Sequence, residues 1–262
     1  MPTRRTFLAA AGAAAVAVGA RIPVAAAAGS VADPGGVAAA DANRTPSQWG
    51  MALPGIVTGF AAPGRQLALT FDACDRACDE ALLGALAANN VPAVLFICSK
   101  WIDANPGRVE QLAASPLFDI GNHGTRHVPL SVTGRSAYGI PGTRSAAAAV
   151  DEVWTEQTRL TSLIGRAPTW FRPGTAHYDD VGVQIVRQLG LIPVGFSVNA
   201  DDGARAPAPA VGAAVTGAAP GSVVLAHMNH PGSGTAAGFA AALPGMLAAG
   251  WQFVPLAGRS LV

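Results

Sequence analysis

Charge is scarce in this chain. Asp, Glu, Lys and Arg together make up 13% of its 262 residues, and the formal net charge is +1. No basic cluster stands outside the first few residues, so no nucleic-acid partner is expected. Cysteine is scarcer still, with only Cys74, Cys78 and Cys98. Three thiols allow at most one intrachain disulfide, and no second cysteine pair is present to complete a structural zinc site. Which pairing forms, if any, is left open. Long apolar runs are also missing: the stretch from Phe7 to Ala20 is too short and too weakly apolar to span a bilayer. No sequence repeat is visible. What is abundant is small and apolar: half of the residues are hydrophobic and 31 are glycine. That suits one compact domain with a large core, expected as a monomer.

The run Thr3-Arg4-Arg5-Thr6-Phe7-Leu8, followed by an Ala/Val-rich stretch, resembles a twin-arginine export signal. Small residues from Val24 to Ala28 offer a cleavage site near Ala28. Residues 1–28 are therefore read as a signal peptide, with no stable membrane span after processing. An extracellular, periplasmic or cell-wall location follows. Residues 29–64, rich in Gly, Ala, Pro and Ser, read as a linker and irregular lead-in. Residues 65–262 read as the folded domain.

From Leu67 onward, short apolar runs alternate with longer helical stretches. Strands are expected at 67–71, 93–97, 117–120, 169–171, 192–196, 222–226 and 251–254. Helices are expected at 79–88, 107–114, 145–164, 179–189, 207–219 and 235–249, with Asp79 as a cap. Alternation of this kind implies βαβ crossovers and a parallel sheet, and continuous apolar strands imply that both faces are covered. The expected class is α/β, a distorted (β/α)7 barrel in a single domain.

Sites in such folds form at the carboxyl ends of strands. The third strand leads into Gly121-Asn122-His123-Gly124-Thr125-Arg126-His127, where two imidazoles four residues apart can point at one cation. Zinc suits imidazole, but its sites normally want a third protein ligand and an open position. The first strand ends in Asp72, the fourth in Arg172, the sixth in His227, and the fifth leads to Asp201 and Asp202. All five histidines, at 123, 127, 177, 227 and 230, lie just after the third, fourth or sixth strand. Gathering on one rim points to chemistry rather than solubility. His177 and His230 read as groove-lining residues, Tyr138 and Tyr178 as candidates for stacking on a sugar, and Trp101, Trp154 and Trp170 as packing residues.

Ala68-Leu69-Thr70-Phe71-Asp72, His123-x-x-x-His127, Phe171-Arg172-Pro173 and Leu225-Ala226-His227 stand in the order found in the NodB-type polysaccharide deacetylases, carbohydrate esterase family 4. The chain resembles that family from about Leu67 to Val254. The resemblance implies that His123 and His127 hold a divalent metal, usually zinc. It implies that Asp72 is the general base, with Arg172 fixing its orientation and charge. His227 would be the general acid that protonates the departing amine, with Asp202, or its neighbour Asp201, tuning it. Leu225 would help shape the acetyl pocket. An amide is a poor electrophile with a poor leaving group, so cation, base, acid and an N–H for the oxyanion are each needed; the loop from Gly174 to Tyr178 is the expected N–H source.

Three departures stand out. Asp72-Ala73-Cys74-Asp75 lacks the second of two adjacent aspartates, the usual third metal ligand, leaving Asp72, Asp75 or water to fill the gap. Gly124 stands where a Ser or Thr usually supports the first histidine. Asn199-Ala200-Asp201-Asp202 lacks the usual Trp. The Asp-Ala-Cys form together with His227-Met228-Asn229-His230-Pro231 resembles a sub-branch of the family. The expected function is that of an exported, metal-dependent polysaccharide deacetylase, a hydrolase of carbon–nitrogen bonds that removes N-acetyl more readily than O-acetyl groups. The alternative is a non-catalytic glycan-binding module on the same scaffold, motivated by Ala73. A metal hydrolase of a different small amide ranks third. Replacing Arg4 and Arg5 together with lysine is expected to hold the precursor in the cytoplasm; cell fractionation showing undiminished export would rule out the twin-arginine reading.

Overall fold

The computed structural model describes residues 33–262; the expected signal peptide and its cleavage site lie outside them. In chain order the elements are α1 (Pro34–Asp41), β1 (Trp49–Gly50), β2 (Gln66–Ala73), α2 (Glu80–Ala88), β3 (Ala93–Ile97), α3 (Ser99–Ala104), α4 (Arg108–Ala113), β4 (Phe118–Asn122), α5 (Ala146–Ile164), β5 (Trp170–Phe171), β6 (Tyr178–Asp179), α6 (Asp180–Gln188), β7 (Ile192–Pro193), β8 (Val198–Asn199), α7 (Ala208–Thr216), β9 (Val223–His227), α8 (Gly234–Ala248) and β10 (Gln252–Phe253). Parallel pairing runs β7-β5-β4-β3-β2-β9-β8, with β10 beside the start of β2. The expected distorted (β/α)7 barrel is thus borne out as a curled half-barrel of α/β type. Asp79 and Ser145 cap α2 and α5 through their side chains, accepting from Leu82 N and Ala148 N.

Side-chain alternation along the strands separates two layers. Leu67, Leu69, Phe71 and Ala73 of β2, with Ala93, Leu95 and Ile97 of β3 and Val224 and Ala226 of β9, join the core beneath the helices. The opposite parity, Ala68, Val94, Phe96 and Val223, lines the inside of the half-barrel with Trp170 and Val194. Thr70 and Asp72 share that inner parity. So does Cys74, one residue past the end of β2. Register then sets neighbours: Asp72 lies opposite His227 on β9.

Two expectations are corrected. The strand expected at 192–196 stops at Pro193, where its partner strand runs into Pro173, which has no N–H to donate; the carbonyls of Val194 and Gly195 accept instead from the Arg172 guanidinium (3.3 and 2.8 Å). An isolated bridge joins Val194 to Val57, and ladder pairing resumes at β8. The lead-in, expected to be irregular, begins with α1, which Pro34 starts and alanines extend; its Val37 and Ala38 pack on the cluster that holds α5 and α6. Farther on, β1 pairs antiparallel with β6, and Val57, Gly59 and Phe60 bridge to Val194, Ser222 and Leu261.

Gly121 illustrates how tight the inner layer is. A Cβ there would sit 2.6 Å from Cδ1 of Phe96, whose ring in turn supports the Arg172 guanidinium at 4.3 Å. Gly121→Ala is expected to cost about 1–3 kcal/mol through overpacking. Urea denaturation reads this directly, and an unchanged midpoint would contradict it.

Candidate active site

Asp72 ends β2 almost fully buried. Its Oδ1 accepts from Arg172 Nη1 at 2.7 Å, and its Oδ2 lies 3.6 Å from His123 Nε2. Arg172, with no exposed surface, follows β5 and spends its remaining donors on Thr70 Oγ1 (2.9 Å) and the two carbonyls already described. Burial opposes ionisation of Asp72, but the Arg172 guanidinium, by its charge and its hydrogen bond, and His227 hold its pKa below the usual 3.8.

His123 follows β4, and Asn122 just before it ties the loop to α5. The Asn122 amide donates to Val153 O at 2.9 Å and its oxygen accepts from Gly124 N at 2.9 Å. His123 Nδ1 lies 2.7 Å from the carbonyl oxygen of Arg172. A carbonyl can only accept, so Nδ1 carries the proton and Nε2 presents a lone pair to the cavity. Gly124 has φ +80°, and a Cβ there would meet Glu152 Oε1 at 2.5 Å. Glu152 holds the loop through Arg126: its Oε1 accepts from Arg126 N and its Oε2 from Arg126 Nε, both at 2.9 Å. The next turn places the His127 ring 4.8 Å from that of His123. Burial, and after it the nearby His123, pushes the His127 pKa down to about 3, and its Nε2 is buried with no hydrogen-bond partner.

His227 ends β9. Its backbone N–H donates to Asp201 Oδ2 at 2.7 Å and its Nδ1 pairs with Asp201 Oδ1 at 3.0 Å. Thr235 Oγ1 donates to the same carboxylate at 2.9 Å. Burial disfavours the imidazolium, yet Asp201 and Asp72 outweigh that and raise the His227 pKa above 6.5. Asp202, the expected tuning residue, does not reach His227: left-handed backbone (φ 49°) turns it outward, where it pairs with Arg205 at 3.1 Å. The carboxylate on His227 is Asp201.

A cavity of about 240 Å³ opens over these groups, lined among others by Asp72, Cys74, His127, Thr175, Leu225 and His227. A carboxylate oxygen of Asp72, Sγ of Cys74 and a ring nitrogen of His227 lie within 4.8 Å of one another; so do Cys74, His123 and His127. The donor set suits a divalent cation. His123 and His127 each bring a ring nitrogen into the cluster with Cys74, and burial lowers the pKa of both. Asp75, the other candidate ligand, is exposed and paired with Lys100 at 3.1 Å. Cys74 was not expected as a donor; its place two residues after Asp72, on the same strand parity, is the signal for it. The three thiols are free of disulfides.

At the rim, Thr175 and Ala176 take left-handed backbone (φ 69° and 55°) and line the cavity, and the Thr175 hydroxyl is buried without a partner. Tyr138 is 77% exposed and meets His177 edge-on at 5.4 Å, with Trp49 on the same imidazole at 5.6 Å. Tyr178 is no stacking platform: it is buried and donates its hydroxyl to Phe171 O at 3.0 Å. His230 is exposed, 6.3 Å from His227 ring to ring. Trp101 and Trp170 are packed in the core, and Trp154 is partly buried against it.

A family model described as polysaccharide deacetylase matches residues 61–194. No curated protein sequence matches the chain. Among solved structures, the Bc1960 peptidoglycan N-acetylglucosamine deacetylase superposes with a TM-score of 0.66 at 23% identity, over 77% of this chain and 91% of that one. BA3943, a CE4 family pseudoenzyme from Bacillus anthracis, gives 0.65 at 18% identity, over 77% and 67%. A family 4 acetyl xylan esterase from Clostridium thermocellum, in complex with a cobalt ion, gives 0.60 at 21% identity, over 72% and 87%.

Because Asp201 supports the charged form of His227, Asp201→Asn is expected to lower the His227 pKa. Asp202→Asn should leave it in place. NMR titration of the imidazole distinguishes the two, and equal shifts would contradict the assignment.

Proposed function

The chain belongs to the polysaccharide deacetylase family, and from that premise we propose that it is an active, metal-dependent hydrolase that removes acetyl groups, N-acetyl in preference to O-acetyl, from a polysaccharide. The observation that carries this reading is the pairing of two groups across one cavity, an Asp72 carboxylate on Arg172 with its pKa lowered and a His227 imidazole on Asp201 with its pKa raised, their ligand atoms within 4.8 Å.

His123 and His127 would hold the cation, with zinc the ion best matched to neutral imidazole. When bound, such an ion polarises the acetyl carbonyl and lowers the pKa of water toward about 7. Asp72, oriented by Arg172, takes the proton of the attacking water. His227, charged with the help of Asp201, gives a proton to the departing amine nitrogen. Leu225, buried at the cavity wall, faces the acetyl methyl. The Thr175 hydroxyl and the backbone of the Thr175–Ala176 turn are the polar groups available to the carbonyl oxygen. The exposed Tyr138, beside His177 and Trp49, offers a platform for a sugar ring outside the cavity. The motif from Thr3 to Leu8 supports export of the protein to a compartment where cell-wall or other glycans are in reach. Among the described residues, no helix is long and apolar enough to cross a membrane.

Ala73, in place of the second aspartate, favours a second reading in which the chain binds glycan without turning it over. Release of acetate from N-acetylated glycans, measured with and without chelator, separates the two. Turnover is expected, abolished by chelator and restored by zinc. His227→Ala is expected to lose about 10²–10⁴-fold in rate while keeping its metal. His123→Ala is expected to lose both metal and activity. Glycan retention with no acetate release on any substrate would favour the binding module.

A further inference from the structure

A cation held by two imidazoles needs a further protein ligand, and three of the four residues from Asp72 to Asp75 are poorly placed to give one. Ala73 packs into the core beneath the helices and carries no donor. Asp75 is turned out to Lys100. Asp72 has Oδ1 on Arg172 and its other oxygen 3.6 Å from His123 Nε2, the position of the base. Cys74 remains. We propose that Cys74, as a thiolate, is the third protein ligand of a divalent cation held with His123 and His127, in a site whose sulfur and nitrogen donors select zinc or cobalt over magnesium, calcium or manganese. The inference rests on the metal-dependent reading above and adds the identity of the missing ligand.

The spacing supports this. A tetrahedral centre with a metal–sulfur bond of about 2.3 Å and a metal–nitrogen bond of about 2.05 Å separates its sulfur and nitrogen by about 3.6 Å. Sγ of Cys74 lies 3.5 Å from Nε2 of His123. A thiol–imidazole hydrogen bond would account for that pair alone. It would leave His127 Nε2 buried and unpartnered, although His127 belongs to the same cluster, whose ligand atoms all fall within 4.8 Å. One cation satisfies all three. The tautomer of His123 is already set for it, since Nδ1 is engaged by Arg172 O. Coordination forms a metal–sulfur bond and releases the thiol proton to solvent, with no change of oxidation state. Cys74 and His127 both line the cavity, so a fourth position on the cation opens toward Asp72 and His227. Carboxylate and thiolate each bring one negative charge, so the exchange keeps the net charge of a two-histidine site while making it softer.

Cobalt(II) titration of the metal-free protein tests this without reference to turnover. The wild type is expected to bind one equivalent and to show a near-ultraviolet thiolate-to-cobalt charge-transfer band. Cys74→Ser should lose that band and lose affinity by more than the roughly 10–100-fold that removal of an outer-shell partner costs. Cys74→Asp should bind cobalt without the band, and Cys78→Ser should keep the wild-type spectrum. Should Cys74→Ser fold poorly, alkylation of Cys74 in the wild type is expected to slow when zinc is present. One equivalent of cobalt bound with no sulfur band, or alkylation of Cys74 unaffected by zinc that is bound, would overturn the ligand assignment and leave the metal-dependent reading standing. Failure to bind cobalt or zinc at all would overturn both.

Discussion

The buried pair of Arg172 and Asp72 is the constraint on which the site depends. A guanidinium with no exposed surface is tolerable only if its donors and its charge are answered, because stripping water from an ion costs several kcal/mol. Here a carboxylate, a hydroxyl, two carbonyls and the face of Phe96 answer it. Those partners belong to β2, β3 and the turn after β7, so one side chain from the end of β5 stitches together distant parts of the sheet. The same residue acts a second time through its backbone, whose carbonyl receives the Nδ1 proton of His123. The charge of Asp72 and the tautomer of His123 are therefore set by a single position. The carbonyls of Val194 and Gly195, left free where the strand ends after Pro193, serve the arginine.

Around that pair, the environment drives like groups apart. Among the described residues, His127 has no carboxylate hydrogen-bonded to it, and burial lowers its pKa. His227, also largely buried, has Asp201 on two of its N–H groups and is biased toward the cation. Three histidines thus divide into two lone-pair donors and one proton donor without any difference in their own chemistry. That division suits hydrolysis of an acyl group, in which one place must accept electron density while another releases a proton.

Much of this was legible in the chain because strand ends and strand parity are properties of short sequence. Apolar runs located the strands to within a few residues, and the fold class put Asp72, His123, Arg172 and His227 on one rim. Parity also carried information that the motif pattern obscured: Cys74, two residues past Asp72, had to share its face, while Ala73 could not. What escaped were features decided by a single backbone angle or by distant packing. The left-handed conformation at Asp202 settles which of two adjacent aspartates reaches His227. Tyr178 is drawn into the core by the Phe171 carbonyl. The helix at Pro34–Asp41 depends on a surface of α5 and α6 that lies more than a hundred residues away.

The segment around Gly59 carries a consequence for how the molecule comes together. Thr58 and Gly59 donate to the carbonyl of Val262, Val262 donates back to Gly59, and Ala61 donates to Ser260. Contacts between positions two hundred residues apart close the largest loop in the described chain, and such closures are slow because the entropy of the intervening chain must be lost before they form. During synthesis the half-barrel can collect its strands one after another, yet this clasp stays undone until Val262 has emerged. Completion of the tertiary structure is in that sense a signal that translation has reached residue 262.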